Sequence, residues 1–164
     1  MFCIPPAHGT AIRCIFTVWD KMKFVFARPQ DASAIKQFLE ANDLLHQDIT
    51  PAGLKHFLMA RDSSGLIGLV GLEVRGDCAL LRSLAVNRGY RNKGLATLLV
   101  DRIENHARSL KISTLYVLTI TAEDFFKKRA FRRTARETAP AGIQNTAEFR
   151  GLCPVSAALL TKQL

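Results

Sequence analysis

The stretch Leu84–Ala96, with the sequence LAVNRGYRNKGLA, decides the fold that we predict for this chain. Its first three residues are typical of a strand, and a basic, glycine-containing loop follows them. Beyond the loop, apolar residues recur at the spacing of an amphipathic helix: Leu95, Leu98, Leu99, Ile103, Ala107 and Leu110. Backbone N–H groups of such a loop, together with the partial positive charge of a helix start, attract an anion. The stretch therefore predicts an anion-binding turn between a strand and a helix.

Two common phosphate-binding patterns do not occur in this loop. The Walker pattern GxxxxGK[ST] fails because Lys93 precedes Gly94 and no Ser or Thr follows at the required place, and GxGxxG is absent. The pattern that fits is Arg-x-x-Gly-x-Ala, from Arg91 to Ala96. Alone, it also describes a simple helix-start turn. The strand before it and the β-forming residues 114–120 after the helix favour a phosphate site.

Periodicity outside this stretch predicts a mixed sheet flanked by helices. Helices are expected after the capping residues Asp31 and Thr50, from Gly94 onward, and over residues 122–129. Strands are expected over residues 23–28, 57–61, 66–74, 79–86, 114–120, 131–138 and 157–162. Residues 140–149 fit either a helix or a loop. Hairpins come first and strand–helix–strand units later, which indicates an α/β (α+β mixed) fold with a central, mostly antiparallel twisted sheet.

Length and composition indicate one packed domain. The chain has 164 residues, 48% of them hydrophobic and 23% charged, which is typical of a globular domain. No apolar run approaches the ~20 residues that span a bilayer, so we expect no membrane partner. The four cysteines form no CxxC pair and no cluster at metal-ligand spacing. We therefore expect free thiols, a cytoplasmic location and no metal.

The N-terminal segment does not share the regular patterns of the rest. Residues 1–22 are predicted to be an irregular extension, and the domain is predicted to comprise residues 23–164. The extension lacks the basic start and unbroken apolar stretch of a signal peptide. Met22 stands just before the first regular pattern, so a mis-assigned start would explain the extension.

The net charge of +9 raises the question of nucleic acid binding. The basic residues are scattered among helices and loops, without the interleaved aromatic residues of a stacking platform. A small polyanionic ligand accounts for part of the charge equally well. We therefore predict no nucleic acid partner.

With these features, the chain resembles the GCN5-related N-acetyltransferase superfamily over roughly residues 24–164. The resemblance implies that acetyl-CoA is the co-substrate. It also implies that the loop Arg91-Asn92-Lys93-Gly94-Leu95-Ala96 surrounds the pyrophosphate, and that the strand Leu84-Ala85-Val86 pairs with the pantetheine arm. This strand and the one at residues 114–120 would separate to admit the thioester.

Finer features resemble one branch, the N-acetyltransferases associated with arsenic-resistance operons. The stretches that carry this resemblance are LRSLAV at 81–86, LTITA at 118–122, Phe125-Phe126, and EFRGLCPVSA at 148–157. The branch implies a small, amino-acid-like amine as the acceptor. A homodimer is compatible with the sequence, which leaves the oligomeric state open.

Direct acetyl transfer needs an uncharged amine, a stabilised oxyanion and a protonated leaving thiolate. A backbone N–H near Leu84 is a candidate for the oxyanion. Glu73, on the preceding strand, is the candidate general base, although a solvated strand carboxylate fits it equally well. Asp48, in the loop before the second helix, is either a ligand of the acceptor amine or a plain loop acid.

Arg82 is the candidate anchor for a carboxylate on the acceptor. Strict alternation along the strand would place Arg82 on the same face as Leu84 and Val86, near the acetyl group. A buried arginine requires an anionic partner. That partner is either the acceptor's carboxylate or a protein carboxylate such as Glu73 or Glu148.

The thiolate-protonating group is where the sequence departs from the superfamily. Many members carry a tyrosine in the helix before a Gly-Phe pair, whereas here Phe126 stands in the tyrosine's place and Ala130 in the glycine's. The resemblance thus implies that Phe126 is a coenzyme-binding residue. Phenylalanine cannot donate a proton. Thr119, Thr121 and Cys153 are the candidate donors, unless the thiolate leaves unaided.

Phe126 also supports an alternative function: a degenerate fold that binds acyl-CoA without turnover, as a sensor or interaction module.

Overall fold

The computed structural model describes residues 21–164. Apart from its last two residues, the predicted extension over residues 1–22 lies outside the described part of the chain. The strands are β1 (Lys23–Phe26), β2 (Phe57–Asp62), β3 (Gly65–Arg75), β4 (Cys78–Val86), β5 (Thr114–Thr119), β6 (Arg132–Thr134) and β7 (Ala158–Gln163). The α-helices are α1 (Ala32–Glu40), α2 (Leu95–Ser109), α3 (Glu123–Lys127) and α4 (Ala141–Gln144). Among these residues, no helix has the length and apolar character needed to cross a membrane.

The strands form a single sheet in the order β1-β2-β3-β4-β5-β7-β6. Neighbouring strands are antiparallel except β4 and β5, which run parallel. A parallel pair needs a crossover connection, and α2 provides it. Helices α2 and α3 pack on one face of the sheet, and α1 and α4 pack on the other. The predicted mixed, mostly antiparallel sheet flanked by helices is confirmed.

Helix α2 begins at the predicted turn. Gly94 precedes its first residue with a φ of 87°, in the left-handed region that favours glycine. The buried apolar residues of α2 form one stripe against the sheet: Leu95, Leu99, Val100, Ile103 and Ala107. Burial of this stripe holds the N-terminus of α2 next to the end of β4.

A β-bulge in β4 reverses the alternation of faces along this strand. Two consecutive β4 residues, Ser83 and Leu84, face the single β3 residue Val70, and Ser83 has a φ of 57°. Arg82 therefore points to the face that carries α1 and α4, whereas Leu84 and Val86 pack on the side of α2. The prediction that Arg82 shares a face with Leu84 and Val86 is wrong, because an extra residue shifts the pattern by one position.

Two predicted strands are shorter than expected, and the segment left open between helix and loop is helical in part. The strand predicted over residues 23–28 ends at Phe26, because Pro29 begins a 3-10 turn. The strand predicted over residues 131–138 comprises Arg132–Thr134, and the chain then turns as the Thr138 hydroxyl donates to the carbonyl of Ala135 at 2.7 Å. The ambiguous residues 140–149 contain α4 and the start of a wide helical turn, Glu148–Leu152.

Candidate functional site

The parallel strands β4 and β5 separate part-way along their length. Their pairing runs from Cys78 opposite Thr114 to Leu81 opposite Val117 and stops there, although both strands continue. A cavity of about 190 Å³ opens where the strands separate. We call this cavity the strand gap.

The strand gap is lined from both faces of the sheet. Leu84 and Phe126 line it from the side of α2, while Arg82, Glu148 and Cys153 line it from the side of α4. The gap therefore connects the two faces of the sheet, so that a group bound on one face can reach a group bound on the other.

On the α2 side, the gap continues into cavities around the start of α2. The predicted coenzyme residues that line these cavities are Leu84, Ala85, Val86, Arg91, Asn92, Gly94, Leu95 and Ala96. Phe126, also predicted, lines the strand gap itself. Space around Gly94 is open, since a Cβ built there meets no atom within 4 Å. The turn is thus accessible to an anion.

The two basic side chains of the turn are directed into the protein's own loops. Arg91 Nε donates to the carbonyl of Val86 at 2.9 Å, and Arg91 Nη2 donates to Oδ1 of Asn42 at 2.9 Å. Lys93 Nζ donates to the carbonyl of Gly89 at 2.8 Å, and Lys93 does not line the cavities described above. These side chains stabilise the turn, while backbone N–H groups and the helix start supply the anion-binding character.

On the opposite face, Arg82 is surrounded by three carboxylates. Only 6% of Arg82 is exposed. Its Nη1 and Nη2 bind both oxygens of Asp48, at 2.5 and 2.7 Å. Nη1 also lies 3.3 Å from Oε2 of Glu73, and Nη2 lies 3.0 Å from Oε1 of Glu148. The structure therefore places Arg82 beside Glu73 and Glu148, the two protein carboxylates that the sequence indicated as candidate partners, and adds Asp48, which was predicted in a separate role. We call Asp48, Glu73, Arg82 and Glu148 the carboxylate cluster.

The carboxylate cluster carries more negative than positive charge. Arg75, which contacts Oε1 of Glu73, adds a second cation at its edge. Burial opposes ionisation of Asp48, but the hydrogen bond and charge of Arg82 outweigh it and lower the pKa of Asp48. Burial raises the pKa of Glu148; the positive charge of Arg82 offsets part of this, while the negative charges of Asp48 and Glu73 add to it. Asp48 and Glu148 thus differ in their affinity for protons.

The remaining candidates in the strand gap differ in their hydrogen bonding. The Thr119 hydroxyl accepts a bond from the N–H of Ala122 at 2.9 Å, so its own proton can point into the gap. Phe126 is 3% exposed and offers only its ring. Burial raises the pKa of the Cys153 thiol. Ser83 Oγ is buried without a hydrogen-bond partner among residues 21–164.

Three residues near these cavities were not predicted to have a functional role. Glu148 was considered only as a partner of Arg82. Its position in the gap depends on the helical turn Glu148–Leu152, which no periodic pattern in the sequence predicts. Phe125 lines the cavities around the start of α2. The adjacent aromatic residues Phe125 and Phe126 were the sequence signal that could have indicated this position. Asn42 had no sequence signal. Within the described residues, no three His, Cys, Asp or Glu side chains converge as metal ligands would.

Solved structures share this fold. N-acetylglutamate synthase from Neisseria gonorrhoeae, complexed with coenzyme A and N-acetyl-glutamate, matches with a TM-score of 0.77 and 20% identity, over 87% of this chain and 35% of that chain. Rv2747 from Mycobacterium tuberculosis, in complex with CoA, matches with a TM-score of 0.73 and 22% identity, over 87% of this chain and 99% of that chain. At these identities the likeness shows the fold alone.

Curated relatives match over a shorter stretch with higher identity. The amino-acid acetyltransferase of Pseudomonas syringae pv. tomato is 39% identical over 70 residues, which cover 43% of this chain and 16% of that protein. The amino-acid acetyltransferase of Azotobacter vinelandii is 42% identical over 65 residues, which cover 40% of this chain and 15% of that protein. The matched stretch thus spans a small part of the length of these relatives.

A family model identifies most of the described chain. The model of the acetyltransferase (GNAT) domain matches residues 26–147, a span that runs from the end of β1 to just beyond α4 and includes the turn at residues 91–96 and both separating strands. The resemblance inferred from the sequence is thereby confirmed at the level of the superfamily. The chain belongs to the GNAT acetyltransferase family.

Proposed function

We propose that this chain is an acetyl-CoA-dependent N-acetyltransferase that acetylates a small, amino-acid-like amine by direct attack. One observation carries the proposal: the strand gap joins an anion-binding turn on one face of the sheet to an acidic cluster on the other. Acetyl-CoA brings a diphosphate and a thioester, and the acceptor brings an ammonium group. The two substrates would therefore enter from opposite faces and meet in the gap.

The coenzyme side of the proposal rests on the turn at residues 91–96. Backbone N–H groups and the start of α2 would bind the pyrophosphate, while Leu84, Ala85 and Val86 would pair with the pantetheine arm. The thioester would then lie in the strand gap between Leu84 and Phe126. Neighbouring structures of the same fold were determined with coenzyme A, which supports this placement.

The acceptor side rests on a larger cavity of about 400 Å³ beside the carboxylate cluster. Asp48 and Glu73 line it and would attract the ammonium group. Arg82 also lines it, but its Nη1 and Nη2 atoms contact protein carboxylates, which favours the second of its two predicted roles, that of a structural pair. Arg75 lines the same cavity with 42% of its side chain exposed, so it is available to an acceptor carboxylate.

The chemistry would use groups at the gap. Backbone groups at the bulge of Ser83 and Leu84 are released from regular pairing and would stabilise the oxyanion. Thr119 would protonate the leaving thiolate. Two carboxylates are candidates for the base: Glu73, which faces the acceptor cavity, and Glu148, which faces the gap.

The finer substrate assignment also belongs to this proposal. Segment 148–157, which supports the resemblance to arsenic-resistance-associated acetyltransferases, contributes Glu148 and Cys153 to the strand gap. The residues that distinguish that branch would thus lie beside the acceptor. The relatives from Pseudomonas syringae and Azotobacter vinelandii are amino-acid acetyltransferases, which supports an amino-acid-like acceptor.

A thiol-release assay over a panel of amines tests the proposal. The panel comprises amino acids, phosphinic and arsenical amino-acid mimics, polyamines and aminoglycosides, and mass spectrometry identifies the acetylated product. We expect turnover with one or more amino-acid-like compounds. Turnover of polyamines or aminoglycosides alone would contradict the substrate class.

The second candidate, an acyl-CoA-binding module without turnover, is favoured by one observation. Phe126 offers no proton at the place where many members carry a tyrosine. Tight binding of acetyl-CoA in calorimetry, without thiol release for any amine in the panel, would establish this alternative.

A further inference from the structure

Glu148 differs from the other acidic residues of the carboxylate cluster in how its oxygens are bound. Both oxygens of Asp48 bind Arg82. Oε2 of Glu73 contacts Arg82, and its Oε1 contacts Arg75. Glu148 lies 3.0 Å from Nη2 of Arg82 through Oε1, as an ion pair without a hydrogen bond. Among residues 21–164, Glu148 is therefore the one carboxylate of the cluster that accepts no hydrogen bond, whereas Asp48 and Glu73 both accept hydrogen bonds from guanidinium groups.

The carboxylate that accepts no hydrogen bond is the one that lines the strand gap. Glu148 lines the gap together with Leu84 and Cys153, whereas Asp48 and Glu73 line the acceptor cavity. The attacking nitrogen must reach the thioester carbon inside the gap. A base that lines the gap therefore lies nearer to the reacting nitrogen than one that lines only the acceptor cavity.

We propose that Glu148 is the general base that takes the proton from the acceptor's ammonium group, a role that rests on the proposed acetyl transfer. Its carboxylate accepts one ammonium proton and leaves a neutral amine. The amine nitrogen bonds to the thioester carbon, and the carbonyl electrons move to oxygen. When the intermediate collapses, the carbon–sulfur bond breaks and the second nitrogen proton ends on the coenzyme sulfur, so that the products are an amide and free CoA.

The surroundings of Glu148 suit proton transfer. Its side chain is 8% exposed, and Asp48 and Glu73 add negative charge nearby. Burial therefore raises the pKa of Glu148, and Arg82 offsets only part of that rise. The Cys153 thiol also lies close enough to be influenced by Glu148 and by the cation Arg136. A carboxylate with a raised pKa accepts a proton from an ammonium group more readily than an ordinary one does.

Arg82 acts as a positioning residue in this arrangement. It lines both the strand gap and the acceptor cavity, and it binds all three carboxylates. Its ion pair with Oε1 of Glu148 holds this carboxylate beside the gap without a hydrogen bond from the guanidinium. The excess of carboxylates over guanidinium charge in the cluster keeps the site attractive to a cation.

The test compares E148Q with E73Q and with the surface variant E137Q. We expect E148Q to lower kcat/KM by about 100-fold or more and to abolish the acidic limb of the pH profile of kcat/KM. E73Q should keep that limb and move it to lower pH, because a negative charge beside Glu148 is removed. E137Q, on an exposed turn, should match the wild type. Calorimetry should give the same affinity of E148Q for CoA as the wild type, within about twofold.

The outcomes separate this role from the proposed function. An E148Q enzyme that keeps the acidic limb, or an E73Q enzyme that loses it, overturns the role of Glu148 while acetyl transfer stands. A wild-type protein that releases no CoA with any amine overturns both. If E148Q does not fold, E148D serves instead: a shortened base should lower kcat and keep a pH-dependent limb, and an unchanged kcat overturns the proposal.

Discussion

Replacing Gly94 by Asn and by Asp tests the phosphate-binding turn through charge alone. Asn and Asp have nearly the same shape, and both tolerate the left-handed conformation that Gly94 adopts with a φ of 87°. A Cβ at this position meets no atom within 4 Å, so neither side chain creates a clash. We therefore expect both variants to fold, with a loss of about 1 kcal/mol or less in unfolding free energy.

The two variants should differ strongly in their affinity for CoA. A carboxylate at position 94 would lie about 6 Å from a diphosphate that carries two charges. At an effective dielectric constant of about 40, the repulsion is about 3 kcal/mol. That energy corresponds to a Kd for G94D that is about 100-fold weaker than the Kd for G94N.

Isothermal calorimetry with CoA measures this difference directly. The gap between the two Kd values should shrink as salt is raised, because ions screen an exposed charge pair. Dephospho-CoA, which retains the diphosphate, should show the same gap. Equal affinities of G94D and G94N for CoA at low salt would refute the assignment of the diphosphate to this turn.

Three further predictions concern other parts of the chain. Arg82→Ala should raise the KM for the amine far more than the KM for acetyl-CoA. It should also lower the unfolding free energy by about 3–5 kcal/mol, because three carboxylates lose their shared cation. Steady-state kinetics and urea unfolding measure these two effects, and equal effects on both KM values would contradict the prediction. Ala130→Gly should raise the unfolding free energy by up to about 1 kcal/mol, since Ala130 has a φ of 66°; an unchanged urea midpoint would contradict the strain. Nδ1 of His56 lies 3.0 Å from Nε2 of His106, and burial lowers the pKa of each ring. The neutral forms of the two rings therefore stabilise the fold above the ordinary pKa of about 6.5, and this contribution is lost as the pH falls. His106→Asn should reduce the loss of urea midpoint between pH 7.5 and 5.5, and an identical loss in wild type and variant would rule the pair out.

Features that depend on neighbouring residues in the chain could be predicted from the sequence. The turn before α2 is an example, because Gly94 and the apolar stripe from Leu95 onward are local signals. The order of strands and helices followed from alternating periodicities. Both predictions are confirmed because local pattern and tertiary packing agree here.

Features that depend on an irregularity or on distant residues could not be predicted. The predicted sheet face of Arg82 was wrong because a β-bulge shifts the alternation. Ser83, not a glycine, has the positive φ at this bulge, so the sequence gives no signal for it. Arg82 and Asp48 meet across 34 positions of sequence. Glu148 reaches the same guanidinium from a turn near the C-terminus. No window of local sequence contains such a contact.

The end of pairing at Leu81 and Val117 divides the sheet into two halves, β1–β4 and β5–β7, that meet along only a short seam. Each backbone hydrogen bond omitted there forgoes about 1 kcal/mol. A pantetheine arm laid along residues 84–86, as proposed, would place its amide groups beside the unpaired edge of β4. The coenzyme would then act as a short additional strand in the break. Its binding should therefore slow hydrogen exchange in both halves at once, because the ligand completes the architecture as well as the active site.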